Sequence, residues 1–285
     1  MTELATTGAP PAVGPLLRDW RRRRRLSQLA LALEAGVSAR HLSFVETGRA
    51  TPSREMVLRL AERLEVPLRE RNALLLSAGY APAYHDAGAD DADALRDVRA
   101  AAELLLAALE PCPALLVNRH WTMLAANRAL APLLADVDAA LLAPPVNALR
   151  ASLHPRGLAP RVVNLGEWRA HVLARLAREA ARDADPALQR LLAELRDYPA
   201  PTARTPLEPA AGVVVPLRLA SPAGVLSFVS TTTVFSAATD VVVSELAIEA
   251  FLPADDATAK ALGARPQPPG SPASEQHDGS RRGFA

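Results

Sequence analysis

One cysteine, one lysine, three methionines, three tryptophans, three tyrosines and five phenylalanines are all that the 285-residue chain has of those types. The lone Cys112 excludes a disulfide framework and any multi-cysteine zinc or iron–sulfur site. It fits a reducing compartment, so the expected location is the cytoplasm. Beside it, a small buried apolar role is weighed against a redox sensor, and the former is preferred. The longest uncharged stretch, Leu219 to Thr239, has ten Ser, Thr, Pro or Gly among its 21 residues. A bilayer-crossing helix disfavours that composition, so the stretch reads as strands and no membrane partner is expected. Met1 to Pro15 lacks a basic segment followed by an apolar run and does not read as a signal peptide. The six His are scattered, with no HExxH, CxxC, GxSxG or GxxxxGK[ST] spacing. No metal, no cofactor and no enzymatic activity are therefore expected.

What is present is unevenly placed. The formal net charge of +1 conceals a split. Residues 1–80 carry 13 Arg against eight Asp or Glu, and residues 81–285 carry 19 basic against 23 acidic groups. The first part is thus suited to a polyanion and the remainder is not. Small polar residues 1–12 read as disordered. From 13 to 80 the apolar positions recur at helical spacing in short segments separated by Gly36, Gly48 and Pro52, which predicts a bundle of about five helices. Residues 81–92 read as a linker, and 263–285, rich in Pro, Gly and Ser, as a disordered tail.

Between them, 93–262 reads as α+β. A helix from Asp93 to Leu109 carries Leu95, Val98, Ala102, Leu105, Leu106 and Leu109 on one side, and Pro111 and Pro113 end it. Ala114–Val117 and Trp121–Ala125 read as strands joined by a turn at Asn118 and Arg119. Leu165, Trp168, Val172 and Leu176 mark one amphipathic helix, and Leu188, Leu191, Leu192 and Leu195 a second. Val213, Val215, Leu217 and Leu219 fall on one face of a strand, followed by a strand from Val225 to Phe235. Leu246, Ile248, Ala250 and Leu252 alternate with Glu245 and Glu249, a further strand with one wet face. Asn127 reads as a cap for the helix after it. Asp255 and Asp256 read as acids at a helix start rather than a catalytic pair.

The informative segment is Ser27 to Leu64. Ser27 can cap a helix whose Leu29, Ala30 and Leu33 face inward, Gly36 makes the turn, and Ser38 can cap a second helix ending at Glu46. Helix, glycine turn and helix is the geometry of a helix-turn-helix, whose second helix enters the major groove. Val37, Leu42 and Val45 would bury that helix and leave Ala39, Arg40, Ser43 and Phe44 outward. The stretch resembles the Xre-type helix-turn-helix of phage-repressor-like regulators, on the residues HLSFVETGRATPSREMVLRLAERL and ERNALLLSAGY. That resemblance covers about 65 residues. It implies a phosphate contact for Gln28, base contacts for Ala39, Arg40 and Phe44, and backbone or base contact for Ser43. Ser38 and Arg49 complete the expected DNA-binding set. It also implies a pair between Arg21 and Glu46, leaving Arg22 to Arg25 for phosphate or solvent. Arg40 suits the O6 and N7 acceptors of guanine, while Ala39 and Phe44 offer apolar contact to thymine methyls.

A second resemblance rests on CPALLVNRHWTMLAANRALAPLL and GVLSFVSTTTVFSAATDVVVSELAIEAFLPADDATAKAL, which are similar to the MmyB-like ligand-binding domain. The family implies a PAS-like fold and, for some members, a fatty-acyl ligand. Ser236–Thr239 stands where a glycine-containing turn is common in that family. The expected fold is therefore multi-domain: an all-α helix-turn-helix bundle followed by an α+β PAS-like domain with an antiparallel sheet. A curved sheet with helices on one face can leave an apolar cavity. Trp121, Leu124, Trp168, Val172, Leu176, Phe228 and Phe235 are the residues expected to line it, though the same residues also read as ordinary core. The expected function is a sequence-specific transcription regulator, a homodimer on a palindromic double-stranded operator, modulated by a small apolar ligand such as a fatty acid. The alternative is a regulator whose C-terminal half serves only dimerisation or protein interaction. A small-molecule enzyme ranks third, because no acid/base constellation is present.

Overall fold

A computed structural model describes residues 12–86, 92–183, 185–199, 215–235 and 240–264. Five helices build the N-terminal bundle: α1 (Val13–Arg23), α2 (Gln28–Ala35), α3 (Ala39–Glu46), α4 (Arg54–Arg63) and α5 (Leu68–Ser77). Their ends are written in the sequence. The Ser27 Oγ accepts from the Ala30 N–H at 3.0 Å and the Ser38 Oγ from the His41 N–H at 3.1 Å. Gly36 takes φ 64° between them, the left-handed conformation that glycine adopts without steric cost. Leu17, Leu31, Leu42 and Leu60 are wholly buried in the bundle core. Each such burial stabilises by about 1.5–3 kcal/mol. Gly14 lets α1 lie directly on α3, since a Cβ there would collide with the Val45 carbonyl oxygen.

The inward face of α2 differs from the expected one. Leu31, Ala32 and Ala35 are buried, whereas Leu29 is 60% and Leu33 73% exposed. The Ser27 cap sets the phase of a helix only eight residues long, and i, i+1 and i+4 then face α3 and α4. A helix with six apolar residues out of eight carries too little contrast for periodicity to find that face.

The second domain holds α6 (Ala92–Ala108), β1 (Ala114–Val117), β2 (Met123–Ala126), α7 (Ala131–Leu134), α8 (Ala148–Leu153), α9 (Leu165–Asp183) and α10 (Pro186–Asp197). It continues with β3 (Leu217–Ser221), β4 (Gly224–Val234), α11 (Val241–Ser244), β5 (Ala247–Pro253) and α12 (Asp256–Leu262). The five strands form one antiparallel sheet in the order β2-β1-β5-β4-β3. Alternation assigns its faces. Leu115 and Val117 of β1 join Leu217, Leu219 and Phe228 beneath α9 and α10, while Ala114 and Leu116 join Ile248 and Ala250 beneath Ala102 and Leu106 of α6.

Helices therefore cover both faces at the centre of the sheet, not one. Glu249, expected on a wet face of β5, is 4% exposed, because α9 lies over it and Arg175 donates to both its oxygens at 2.7 and 3.1 Å. Trp121, expected in a strand, sits in the turn before β2 with φ 63°. Asn127 caps nothing: its Oδ1 accepts from the Ala114 N–H and its Nδ2 donates to the Leu106 and Cys112 carbonyls. Asp255 does cap α12, accepting from the Thr258 N–H at 2.7 Å. The short helical turns between 128 and 161 have no periodic sequence signal, being shorter than the window that reveals one. Leu95, Val98, Val213, Ser236–Thr239 and the expected disordered ends, 1–11 and 265–285, lie outside the residues whose side chains or backbone are described.

Within the expected linker, residues 83–86 are tied to both domains. The Asn72 Oδ1 accepts from the Ala83 and Tyr84 N–H groups, and the Asn72 Nδ2 donates to the Tyr84 carbonyl. The Val241 N–H donates to the His85 carbonyl at 2.8 Å, and the His85 Nδ1 lies 2.8 Å from the Asp240 Oδ2.

Candidate nucleic-acid interface and interdomain cleft

The recognition helix α3 is fixed from behind. The Arg21 Nε and Nη2 donate to the two Glu46 oxygens at 2.7 and 2.9 Å, the pair the resemblance implied. The Gln28 Nε2 donates to the Glu46 Oε2 at 2.8 Å. Burial alone pushes the Glu46 carboxyl upward, but the hydrogen bonds from Arg21 and Gln28 and the charges of Arg21 and Arg18 outweigh it and hold its pKa low. Gln28 is thus held by its carboxylate partner at the first position of α2, which fixes where its remaining hydrogen-bonding groups point.

The outward side of α3 matches expectation except at Ala39, which packs against the bundle core. Arg40 is exposed, Ala39, Ser43 and Phe44 are half-buried, and Leu42 and Val45 are buried, with Val37 partly so. The Arg40 guanidinium lies 5.4 Å from the Phe44 ring centroid, so the aromatic side chain braces the cation. Arg49 is exposed where the chain folds back, its N–H donating to the Phe44 carbonyl at 2.7 Å. Sequence reasoning passed over His41 and Thr47, which are exposed at either end of the same helix. Helical spacing from Arg40 and Ser43 was the available signal. Among Arg22 to Arg25, Arg24 is spent: it donates to the Leu64 and Glu65 carbonyls and closes the end of α4. Arg22, Arg23 and Arg25 remain exposed.

In the second domain the expected lining residues separate. Trp121, Trp168 and Val172 meet with Leu149 and Phe251 around an inner pocket of about 60 Å³. Leu176 and Phe228 are completely buried in the adjoining core. Leu124 is 51% exposed, because it is the extra residue where the β1–β2 register slips between the Leu116–Ala125 and Val117–Met123 pairs. Phe235 packs on the opposite side of the sheet, with the α6 cluster.

The inner pocket meets a larger cleft of about 880 Å³ at Trp121, His171, Arg175 and Ser230. One wall of that cleft is the α4–α5 turn and the start of α5, residues 65–68, 70 and 71. The other is built by the turn before β2, α9, the start of α10, β4 and the α11–β5 junction. Between cleft and pocket lies a polar cluster. The Arg175 guanidinium sits 4.5 Å from the Trp121 ring and bonds Glu179 and Glu249. The Trp121 Nε1 donates to Glu179 and the Thr232 hydroxyl to Glu249, at 2.9 and 2.6 Å. The left-handed backbone at Trp121 aims the indole into this cluster. Burial and the charges of Arg175 and Arg178 push the pKa of His171, at the mouth of the pocket, down against the opposing pull of Glu249.

Beside the cleft one ion pair joins the domains: Arg69 of α5 donates to both Glu245 oxygens at 2.8 and 3.1 Å, and also to Asp86 at 2.8 Å. Within the second domain Arg119 reaches the same Glu245 at 3.3 Å. Burial and the charge of Glu110 raise the pKa of the half-buried Cys112 thiol, the reverse of what a reactive thiolate needs. Among the described residues no group of three His, Cys, Asp or Glu is placed to hold a metal ion, and no helix is long and apolar enough to cross a membrane.

Comparison with known proteins agrees with this division. Residues 17–71 match the helix-turn-helix family, and residues 98–264 match the MmyB-like transcription regulator ligand binding domain. No curated protein matches the chain. With an inner pocket in the domain that carries the second match, and an outward-facing recognition helix in the first, the chain belongs to the MmyB-like transcription regulators and is a DNA-binding regulator with a ligand-binding domain.

Proposed function

We propose that this regulator binds a palindromic operator as a homodimer and that a small apolar ligand of fatty-acyl type, held in the C-terminal domain, modulates that binding. Arg40, Ala39 and Phe44 read bases, while Gln28, Ser38, Ser43 and Arg49 position the helix on the backbone. The ligand body lies along Trp121, Trp168 and Val172, with Leu149 and Phe251 added to the expected set.

The observation that carries the reading is that the inner pocket shares Trp121, His171, Arg175 and Ser230 with a cleft whose far wall is the DNA-binding bundle. A ligand there shifts the placement of the recognition helices without reshaping them. It does so only to the extent that it binds one arrangement better than another, typically by about 1–3 kcal/mol. An acyl chain enters by displacing side chains, since about 60 Å³ is well below the roughly 300–1,000 Å³ of ligand pockets.

That small volume also favours a second reading, in which the C-terminal domain is a dimerisation module with a filled core. Mass spectrometry of small molecules released from the denatured protein, followed by titration of the identified species with and without operator, separates the two. Linked affinities, altered by the same factor in both directions, support sensing. Equal ligand affinity with and without operator replaces it with the interaction-module reading.

A further inference from the structure

We infer that the interdomain cleft is a second binding site, for a small organic cation with an apolar body, whose charged group is received by Glu70 of the DNA-binding bundle. The cleft, at about 880 Å³, lies within the size range of small-molecule sites and is separate from the roughly 60 Å³ inner pocket. Its walls offer apolar surface from both domains: half-buried Leu68 on one side and Val234, 61% exposed, on the other.

Its charges are unequal. Six carboxylates line it against four guanidiniums. The guanidinium of Arg175 is bound by Glu179 and Glu249, that of Arg182 by Asp183, and that of Arg71 donates to the Val66 carbonyl and the Tyr84 hydroxyl. Arg119 shares Asp185 and Glu245. Glu70 is half-buried and, among the described residues, has no hydrogen-bond or ion-pair partner. Burial, with Asp185 and Glu245 nearby, raises its pKa against the opposing pull of Arg119 and Arg69. An incoming cation relieves that situation, whereas an anion adds to the excess of negative charge. Glu70 also stands in the first turn of α5, where an acid complements the helix dipole. That role stabilises the helix equally with and without a ligand, so binding measurements distinguish the two.

Because Glu70 and Leu68 belong to the bundle and Val234 to the ligand-binding domain, the site is incomplete without both domains. The test uses the full chain and three matched probes, hexylammonium, hexanol and hexanoate, titrated by calorimetry. Hexylammonium is expected to bind about tenfold tighter than hexanol, the scale of a half-buried charge pair, and hexanoate weakest. Glu70→Gln is expected to abolish the advantage of hexylammonium over hexanol, Glu70→Asp to retain it, and Glu70→Lys to transfer it to hexanoate. Leu68→Ser is expected to weaken hexylammonium and hexanol together. Ala148→Val, at the wall of the inner pocket, narrows that pocket and leaves hexylammonium binding unchanged while it weakens binding of an acyl ligand there. Hexylammonium binding no tighter than hexanol, an unaltered preference in both Glu70→Gln and Glu70→Lys, or loss of hexylammonium binding in Ala148→Val overturns the inference.

Discussion

Arg40 stands exposed on α3 with its guanidinium over Phe44, while Gln28 is anchored to Glu46 at the start of α2. The two therefore fail differently when removed. Arg40→Ala is expected to cost about 1–3 kcal/mol on the operator and to relax preference at one base position. Gln28→Ala should weaken operator and random DNA more evenly. Binding isotherms on both DNAs check this, and equal losses for Arg40→Ala would remove it as a base reader. Glu46 gives a pH signature. Its pKa is lower in the folded bundle than in the unfolded chain, so its contribution to stability is present above the ordinary carboxylate value of about 4.3 and is lost as pH falls through the lower folded value. Urea titrations between neutral pH and pH 3 should show that loss in the native chain and a flatter profile in Glu46→Gln. Arg21→Ala leaves the buried carboxylate without its charge partner and is expected to cost about 3–5 kcal/mol.

Helix α5 is the element through which the bundle touches the ligand-binding domain. Arg69, Asn72, Tyr84, Glu245 and the His85–Val241 backbone bond form one latch around it. The ion pairs are partly solvated, so Arg69→Ala is expected to cost only about 1 kcal/mol of global stability. Its larger effect is local. Hydrogen exchange at the Val241 and Tyr84 amides should accelerate severalfold, while the amides of α3 keep their protection. Unchanged exchange at Val241 would mean that Arg69 is not what holds the domains together. The helices themselves were legible where they were long or well capped, as at α3, α9, α10 and α12. The face of α2 was not, because six of its eight residues are apolar and only the packing of α3 and α4 selects among them.

At the scale of the whole molecule, one recognition helix covers about half a DNA site, and two copies gain affinity by engaging half-sites about one helical turn apart. Light scattering is expected to give twice the chain mass of 30.2 kDa, and footprinting a protected region longer than one half-site. A monomer with a single half-site footprint would overturn this. A ligand in the cleft would touch the bundle directly, whereas one in the inner pocket, which has no bundle residue in its wall, would act through Trp121, His171, Arg175 and Ser230, which line both. Within the expected linker, residues 83–86 are bonded to both domains.

The sequence by itself determined the features that depend on near neighbours. These are the Ser27 and Ser38 caps, the Gly36 turn, the outward side of α3, the alternation of β3 and the excess of Arg in the first 80 residues. Such features are set within about one helical turn or one strand period, so composition and spacing carry them. Tertiary structure alone decided which polar groups became dry and where the cavities lie. Arg175 meets Glu249 across 74 residues of chain, and Arg69 meets Glu245 across 176. The register slip that turns Leu124 outward needs β1 as its partner, and the cleft needs both domains. Pairing between residues so distant is chosen by the packing of whole elements, where burial and charge compensation are settled together, and no local pattern records the outcome.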